Sequence, residues 1–296
     1  MRRAGPILIV VAALTSTACR GRRGDERSQM EIALAAADRL YDQRVDEQKL
    51  REAQQAYLDV LAENPDEPEV LWRLSRAYTA FAYGYPDAPA DTCGSPGVAD
   101  PALCYTLALE YAFRCMEANS AWTSRLALND GYISKRVAAS LGAREIPCMN
   151  EGIQAWTRWT ASRGPSAALY LDSISWLSRR LAELNGEEGG PEWVSAWGAG
   201  MSEALAPAAM QPDTEAAAVS FETAVSLADE LATPRVDRVI YLLARTDASS
   251  TQLLREEAER IRADFPTDVS HPWALENRRA LERLESLTGE GTDPLP

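Results

Sequence analysis

Residues 53–78 read AQQAYLDVLAENPDEPEVLWRLSRAY. Apolar residues recur at three- and four-residue intervals on both sides of Asn64-Pro65-Asp66, the period of an amphipathic helix. Pro65 and its polar neighbours supply the turn between two such helices. Small side chains at Ala53 and Ser75 mark where paired helices approach closely. Tyr57, Leu71, Leu74 and Tyr78 supply the bulk that fills the groove beside them.

That order of small and large residues follows the tetratricopeptide pattern W-x2-L-G-x2-Y…A-x3-F…P. Ala53 and Tyr57 take the Ala and Phe slots of a second helix, and Pro65 closes it. Leu71, Leu74, Ser75 and Tyr78 take the W, L, G and Y slots of the next repeat. Ser75 stands in for Gly and Trp72 sits one place late, so the repeat is degenerate, and a plain helical hairpin satisfies the same spacing. Two stretches repeat the theme: Ala108, Ala112 and Cys115 after Pro101, and Ala217, Phe221 and Ala224 within residues 214–231. The expected fold is all-α, a tetratricopeptide-like stack of antiparallel helical hairpins forming an α-solenoid. β-Branched residues, the material of sheets, are sparse beyond the N-terminus.

Further helices are expected at 31–44, 121–141, 147–163, 166–184, 235–244, 250–265 and 271–287. In the first, Ile32, Ala35, Ala36 and Leu40 make an apolar stripe, while Leu34 and Tyr41 fall on the other side, so both faces are expected to be covered. Asn185-Gly186 reads as a helix stop, and residues 187–200 as a Gly-rich loop with a short helix. Residues 84–100 carry Gly, Pro and Asp at turn density and exceed the usual connection length, which points to function or to a clip.

The chain opens MRRAGPILIVVAALTSTAC. Arg2 and Arg3, an apolar run at 7–14 and small residues after it make an export signal, too short for an ordinary membrane span. Ser16-Thr17-Ala18-Cys19 resembles a bacterial lipobox, in which Cys19 would carry lipid and become the mature N-terminus. A secreted protein cut near Ala18 is the alternative. Residues 1–18 are thus the leader, 19–28 a charged tether, 29–288 one helical domain and 289–296 a polar tail. Arg20, rather than Asp, follows the cysteine, which by likeness to enterobacterial sorting favours the outer over the inner membrane. The net charge of −14 repels phosphate backbones and speaks against nucleic acid as a partner.

Export makes disulfides plausible for Cys93, Cys104, Cys115 and Cys148. Cys104 and Cys115 on one helix would stand about 16 Å apart, beyond bonding range. The favoured pairing is Cys93 with Cys104, pinning the loop, and Cys115 with Cys148, tying two helices. Zinc is the rival, but there is no C-x2-C pair.

A single histidine, His271, leaves no HExxH, and there is neither a G-x-S-x-G elbow nor a P-loop. No cofactor or metal is implied, and a non-enzymatic protein is expected. The informative side chains are aromatic: Trp156 and Trp159 at i, i+3, Tyr105 and Tyr111, and Trp193 and Trp197 at i, i+4. Such stripes usually face a core. The functional reading is a ring-lined cavity for an apolar or amphipathic ligand, with Trp156, Trp159 and Tyr105 around it and Arg158, Arg76 or Arg114 taking a carboxylate.

Four stretches together resemble the T-component lipoproteins of tripartite ATP-independent periplasmic (TRAP) transporters, the TatT-like family. They are VLWRLSRAYTAFAYGY at 70–85, IPCMNEGIQAWTRWTASRG at 146–164, RVIYLLARTD at 238–247 and HPWALENRRALERLE at 271–285. The resemblance implies an envelope lipoprotein facing the periplasm that associates with the transporter's solute-binding protein. It also implies trimers, and a channel through each subunit that accepts a small hydrophobic ligand.

Overall fold

A computed structural model describes residues 27–88, 93, 100–188, 192–243, 251–265 and 268–288. The expected leader, Cys19 and most of the tether lie outside the described residues, as does the tail at 289–296.

The described chain is all helical, without a strand. In order it forms α1 (27–41), α2 (Glu47–Glu63), α3 (Pro68–Gly84), α4 (Pro101–Glu117), α5 (Ser120–Ala127) and α6 (Lys135–Ala138). There follow α7 (Ile146–Arg163), α8 (Leu171–Glu188), α9 (Glu192–Ala204), α10 (Thr214–Leu227), α11 (Ala232–Asp237, continued by a π-helical stretch Arg238–Leu243), α12 (Thr251–Asp264) and α13 (Ala274–Thr288). None of the described helices is long and apolar enough to cross a membrane.

Local chemistry sets the helix starts. The Asp46 carboxylate accepts from the backbone N–H groups of Gln48 and Lys49 ahead of α2, and the Asn119 side chain does the same for Ala121 and Trp122 ahead of α5. These are first-turn donors that have no partner inside the helix. Prolines occupy the first turn of α3, α4 and α7, where the missing N–H costs nothing.

Successive helices then pack as neighbours: α2 on α3, α3 on α4, α4 on α7, α7 on α8, α8 on α9 and α9 on α10. The repeat positions make these seams. Ala53, Tyr57, Leu71, Leu74, Ser75 and Tyr78 are all buried, and so are Ala108, Ala112, Cys115, Ala217, Phe221 and Ala224. Cys93 bonds Cys104 in α4, with Cα atoms 5.1 Å apart, and Cys115 of α4 bonds Cys148 of α7, with Cα atoms 5.7 Å apart.

The stack closes on itself. A second, smaller core of Ala232, Val236, Val239, Ala258, Ile261, Phe265, Ala280 and Leu284 joins α11, α12 and α13. α13 then packs against α3. A Cβ added at Gly84, the last residue of α3, would lie 2.7 Å from Leu275 Cδ1, so any other residue here would have to displace the buried Leu275 side chain. Arg44, between α1 and α2, donates through Nε to Glu276 Oε1 at 2.9 Å and through Nη2 to Glu276 Oε2 at 3.1 Å. Tyr85 donates its hydroxyl to the carbonyls of Arg44 and Val45. The first and last hairpins are thereby sewn into a ring.

Four local expectations are corrected. α1 buries Leu34, Ala37 and Tyr41, whereas Ile32 (67%), Ala35 and Ala36 of the expected stripe are exposed and only its Leu40 packs against the core. The single helix expected at 121–141 is two short ones. Asp130 and Gly131 adopt positive φ (52° and 80°) and turn the chain between them. The stop at Asn185-Gly186 is overridden, because burial of Leu184 and Asn185 carries α8 on to Glu188. Residues 187–200, expected as a loop with a short helix, instead carry a 13-residue helix from Glu192 to Ala204, where Trp193, Val194, Trp197 and Met201 form a buried stripe. Glycine here serves contact rather than turning: a Cβ on Gly198 would lie 2.5 Å from Ser178 Oγ and 2.6 Å from Ile153 Cγ2.

Candidate functional site

Two partly open cavities lie between the helices of the ring and share Tyr83 and Arg158 in their walls. The larger, about 350 Å³, is walled by α1, α3, α7, α9, α11 and α13 through Tyr41, Arg76, Thr79, Glu151, Trp193 and Trp273, among others. The smaller, about 200 Å³, continues on the far side through Tyr105, Trp197, Met201, Tyr241 and Arg283. Volumes of this size suit a small organic molecule.

The partition between the chambers is built from one helix register. Arg158 projects from α7 with its guanidinium carbon 3.8 Å from the centroid of the Tyr83 ring and 5.3 Å from that of Trp197. Stacking on rings of this kind stabilises a cation by about 0.5–2 kcal/mol. The Nε of Arg158 is buried and has no hydrogen-bond partner among the described residues.

Two other arginines of the larger chamber have carboxylate partners, although the Nε of Arg76, like that of Arg158, is buried with no hydrogen-bond partner among the described residues. Arg44 is held by Glu276. Arg76 lies over Tyr41 at 4.0 Å and bonds through Nη2 to Asp38 Oδ1 at 3.1 Å. Glu151 differs from both: its residue is only 6% exposed, and its carboxylate accepts from the side-chain amides of Asn150 (3.2 Å) and Gln154 (3.5 Å). Burial pushes its carboxyl up to about 7, against the pull of Arg76, the Asn150 hydrogen bond and Arg158. Burial likewise pushes the Tyr41 hydroxyl up to about 12. Thr79 Oγ1 and Asn150 Oδ1, from α3 and α7, are buried around the same chamber with no hydrogen-bond partner among the described residues.

The smaller chamber is more fully satisfied. Asp237 accepts from the Trp197 indole N–H at 2.9 Å and pairs with Arg283 at 2.8 Å. Arg283 also donates to the Tyr83 hydroxyl at 3.2 Å.

The residues singled out from sequence are divided by this arrangement. Arg158 and Tyr105 face the ring interior, Arg158 in both chambers and Tyr105 in the smaller. Arg76 lines the larger chamber. Trp156 and Trp159 line a separate groove with Phe113, Tyr132 and Tyr170 on the outer side of α4 and α7. Arg114 is elsewhere, donating to the Pro65 carbonyl at 2.7 Å. His271 hydrogen-bonds to the Trp273 backbone N–H, a local role at the start of α13. Glu151, Thr79, Tyr83 and Trp273 are the site residues that sequence reading missed. Only Glu151 left a signal, an acid inside the otherwise apolar and neutral run CMNEGIQAW.

Among the described residues no group of three or more His, Cys, Asp and Glu is placed to hold a metal ion. Comparison with protein-family models and with curated proteins finds no match for this chain.

Proposed function

We propose that the protein is an exported, lipid-anchored helical-repeat component of a TRAP-type solute transport system. It docks the periplasmic solute-binding protein and holds a small hydrophobic or organic-acid ligand, and it breaks no bond. The observation that carries this reading is the pair of chambers sharing Tyr83 and Arg158 inside a closed ring of hairpins. A ring of paired helices offers broad surfaces for a protein partner and a hollow for a ligand. The two disulfides suit an oxidising compartment outside the cytoplasm.

The mechanism is capture. Lipid on Cys19 would keep the protein on the periplasmic face of a membrane, the outer one where Arg20 is read by likeness to enterobacterial sorting. Anchoring raises the effective concentration of the docking surface. A homotrimer, as the family resemblance implies, would present three such surfaces.

A pull-down of the intact lipoprotein from membrane extract tests the reading. Recovery of a solute-binding protein supports it, while recovery of envelope-assembly machinery favours a general scaffold without ligand. A lipid mass increment at Cys19 is expected in the same preparation, and an unmodified N-terminus elsewhere would remove the anchor.

One observation favours a second reading, a hydrolase. Glu151, with its carboxyl held near neutrality, is suited to general acid catalysis, and Glu276 lines the same chamber. Turnover of generic ester, peptide or glycoside substrates that is lost in Glu151→Gln would establish it.

A further inference from the structure

We propose that the larger chamber is a binding site for a small zwitterion. The ligand's ammonium would sit at Glu151, its carboxylate at Arg158, and its apolar body among the rings of Tyr41, Trp193 and Trp273. This rests on the reading above that the chamber holds a ligand, and it names the ligand's class.

The argument starts from which charges are left over. Glu151 and Arg158 lie seven residues apart on α7, two turns along one face and about 10 Å apart along the axis. Helical side chains lean toward the N-terminus, so the longer arginine leans back along the helix toward Glu151. Gln154 lies between them and lines the same cavity. Arg44 is paired with Glu276 and Arg76 with Asp38, which Arg73 shares, and the Nε of Arg76 remains without a hydrogen-bond partner among the described residues. Among the described residues neither Glu151 nor Arg158 has an oppositely charged atom within 4.0 Å. The chamber therefore presents one unpaired anion and one unpaired cation on a single wall.

A buried charge without a partner is costly, and a ligand that supplies the partner recovers that cost. An anion alone would satisfy Arg158 but sit in the field of the Glu151 carboxylate. An amine alone would satisfy Glu151 and leave Arg158 unpaired. A molecule bearing both groups satisfies both residues without Glu151 having to take up a proton.

The neutral polar atoms agree. Asn150 Oδ1 is an unpartnered acceptor beside Glu151, suited to an ammonium N–H. Thr79 is 5% exposed, and its hydroxyl, unpartnered on the α3 side of the same cavity, is free to donate to a carboxylate or accept from an amine. The rings of Tyr41, Trp193 and Trp273 offer the apolar body a surface to lie against. A volume of about 350 Å³ matches an amino acid or a dipeptide better than a lipid chain or an oligomer.

The site also couples binding to protons. Glu151 faces Arg158 and Asn150 on its own helix, Arg76 from α3, Tyr41 from α1 and Glu276 from α13. Its carboxyl, raised by burial, is partly protonated near neutral pH in the empty chamber. An ammonium beside it favours the ionised form, so binding expels a proton and weakens as the pH falls.

Calorimetric titration of the full-length protein tests this, using L-amino acids and their glycyl dipeptides. Each is compared with its deaminated and decarboxylated analogues, for example L-phenylalanine with hydrocinnamate and phenethylamine. At least one zwitterion should bind, and loss of either charged group should weaken binding about tenfold or more. Proton release should appear as a binding heat that depends on the buffer's ionisation enthalpy. Glu151→Gln should abolish that dependence and weaken the zwitterion about tenfold, without weakening the deaminated acid. Arg158→Met should weaken the zwitterion and the deaminated acid alike.

A deaminated acid that binds wild type as tightly as its amino acid would overturn the zwitterion assignment and leave the ligand-holding reading standing. Failure of every probe to bind, with folding confirmed by circular dichroism, would overturn both.

Discussion

Arg44 and Glu276 stand 232 residues apart in sequence, yet their side chains meet at 2.9 Å, only 8% and 12% exposed. Arg44 also donates to the Pro272 carbonyl, and its ring neighbours are Tyr41 and Trp273. This is the stitch that joins the first turn of the stack to the last helix. Removing one partner would strand the other in a dry site, so Glu276→Ala should cost about 3–5 kcal/mol. The double variant Arg44→Met, Glu276→Leu replaces both charges with apolar bulk and should recover most of that. Urea unfolding midpoints check both, and a loss in the single variant below about 1 kcal/mol would show that the ring does not depend on this pair.

Glu151 gives stability a pH dependence of definite sign. Its carboxyl is raised to about 7 in the fold, whereas in the unfolded chain it titrates near 4.3. Between those values the native state holds a proton that the unfolded state lacks. Its contribution is fully present below about pH 4 and is lost as pH rises toward about 7. Wild type should therefore lose stability relative to Glu151→Gln between about pH 5 and pH 8, by up to a few kcal/mol. Denaturant titrations of both proteins at the two pH values measure the difference, and parallel curves would mean that Glu151 is solvated.

Gly198 and Gly186 make a matched pair. At Gly198 an added methyl meets Ser178 Oγ and Ile153 Cγ2 at 2.5 and 2.6 Å, both fixed in the core. Gly198→Ala should destabilise by about 1–3 kcal/mol. Gly186, inside α8, has nothing within 4 Å of an added Cβ, so Gly186→Ala should stabilise by up to about 1 kcal/mol through helix propensity. Thermal melting of the two variants should move in opposite directions.

The disulfides should differ modestly in worth. Cys115–Cys148 spans a sequence separation of 33 and Cys93–Cys104 one of 11. Chain-entropy arguments then assign the longer loop about 3–4 kcal/mol and the shorter about 3. Cys115→Ala with Cys148→Ala should thus lower the unfolding midpoint at least as much as the other pair. Non-reducing peptide mapping should find these two linkages and none between Cys104 and Cys115.

The helices and their hairpin order were legible because they are local. Period, proline at first turns and side-chain caps act within a few residues, and the Ala and Phe slots of the repeat describe a contact between adjacent helices. The cysteine pairing was legible only in part: helical rise keeps Cys104 from Cys115 but leaves two pairings, and the packing of α4 on α7 decides between them. Errors came where packing outranked local preference. Gly198 looked like a loop former and is a contact point, and Asn185 looked like a stop and is buried. In α1 either stripe is apolar enough to face inward. What decides is the neighbours: the Asp38 carboxylate beside the buried stripe receives the Tyr57 hydroxyl and the guanidinium groups of Arg73 and Arg76.

From its residues alone the chain determines an all-helical stack of hairpins, because hydrophobic spacing dictates which segments coil and which neighbours they bury. Where the stack ends is not written locally. Closure needs α13 to meet α3 and Arg44 to find Glu276, contacts across most of the chain that no short-range pattern specifies. Only that closure brings Tyr41, Thr79, Glu151, Arg158, Trp193 and Trp273 around one hollow. It takes water away from Glu151 and sets Arg158 two turns along the same helix, with no opposite charge within 4.0 Å of either among the described residues.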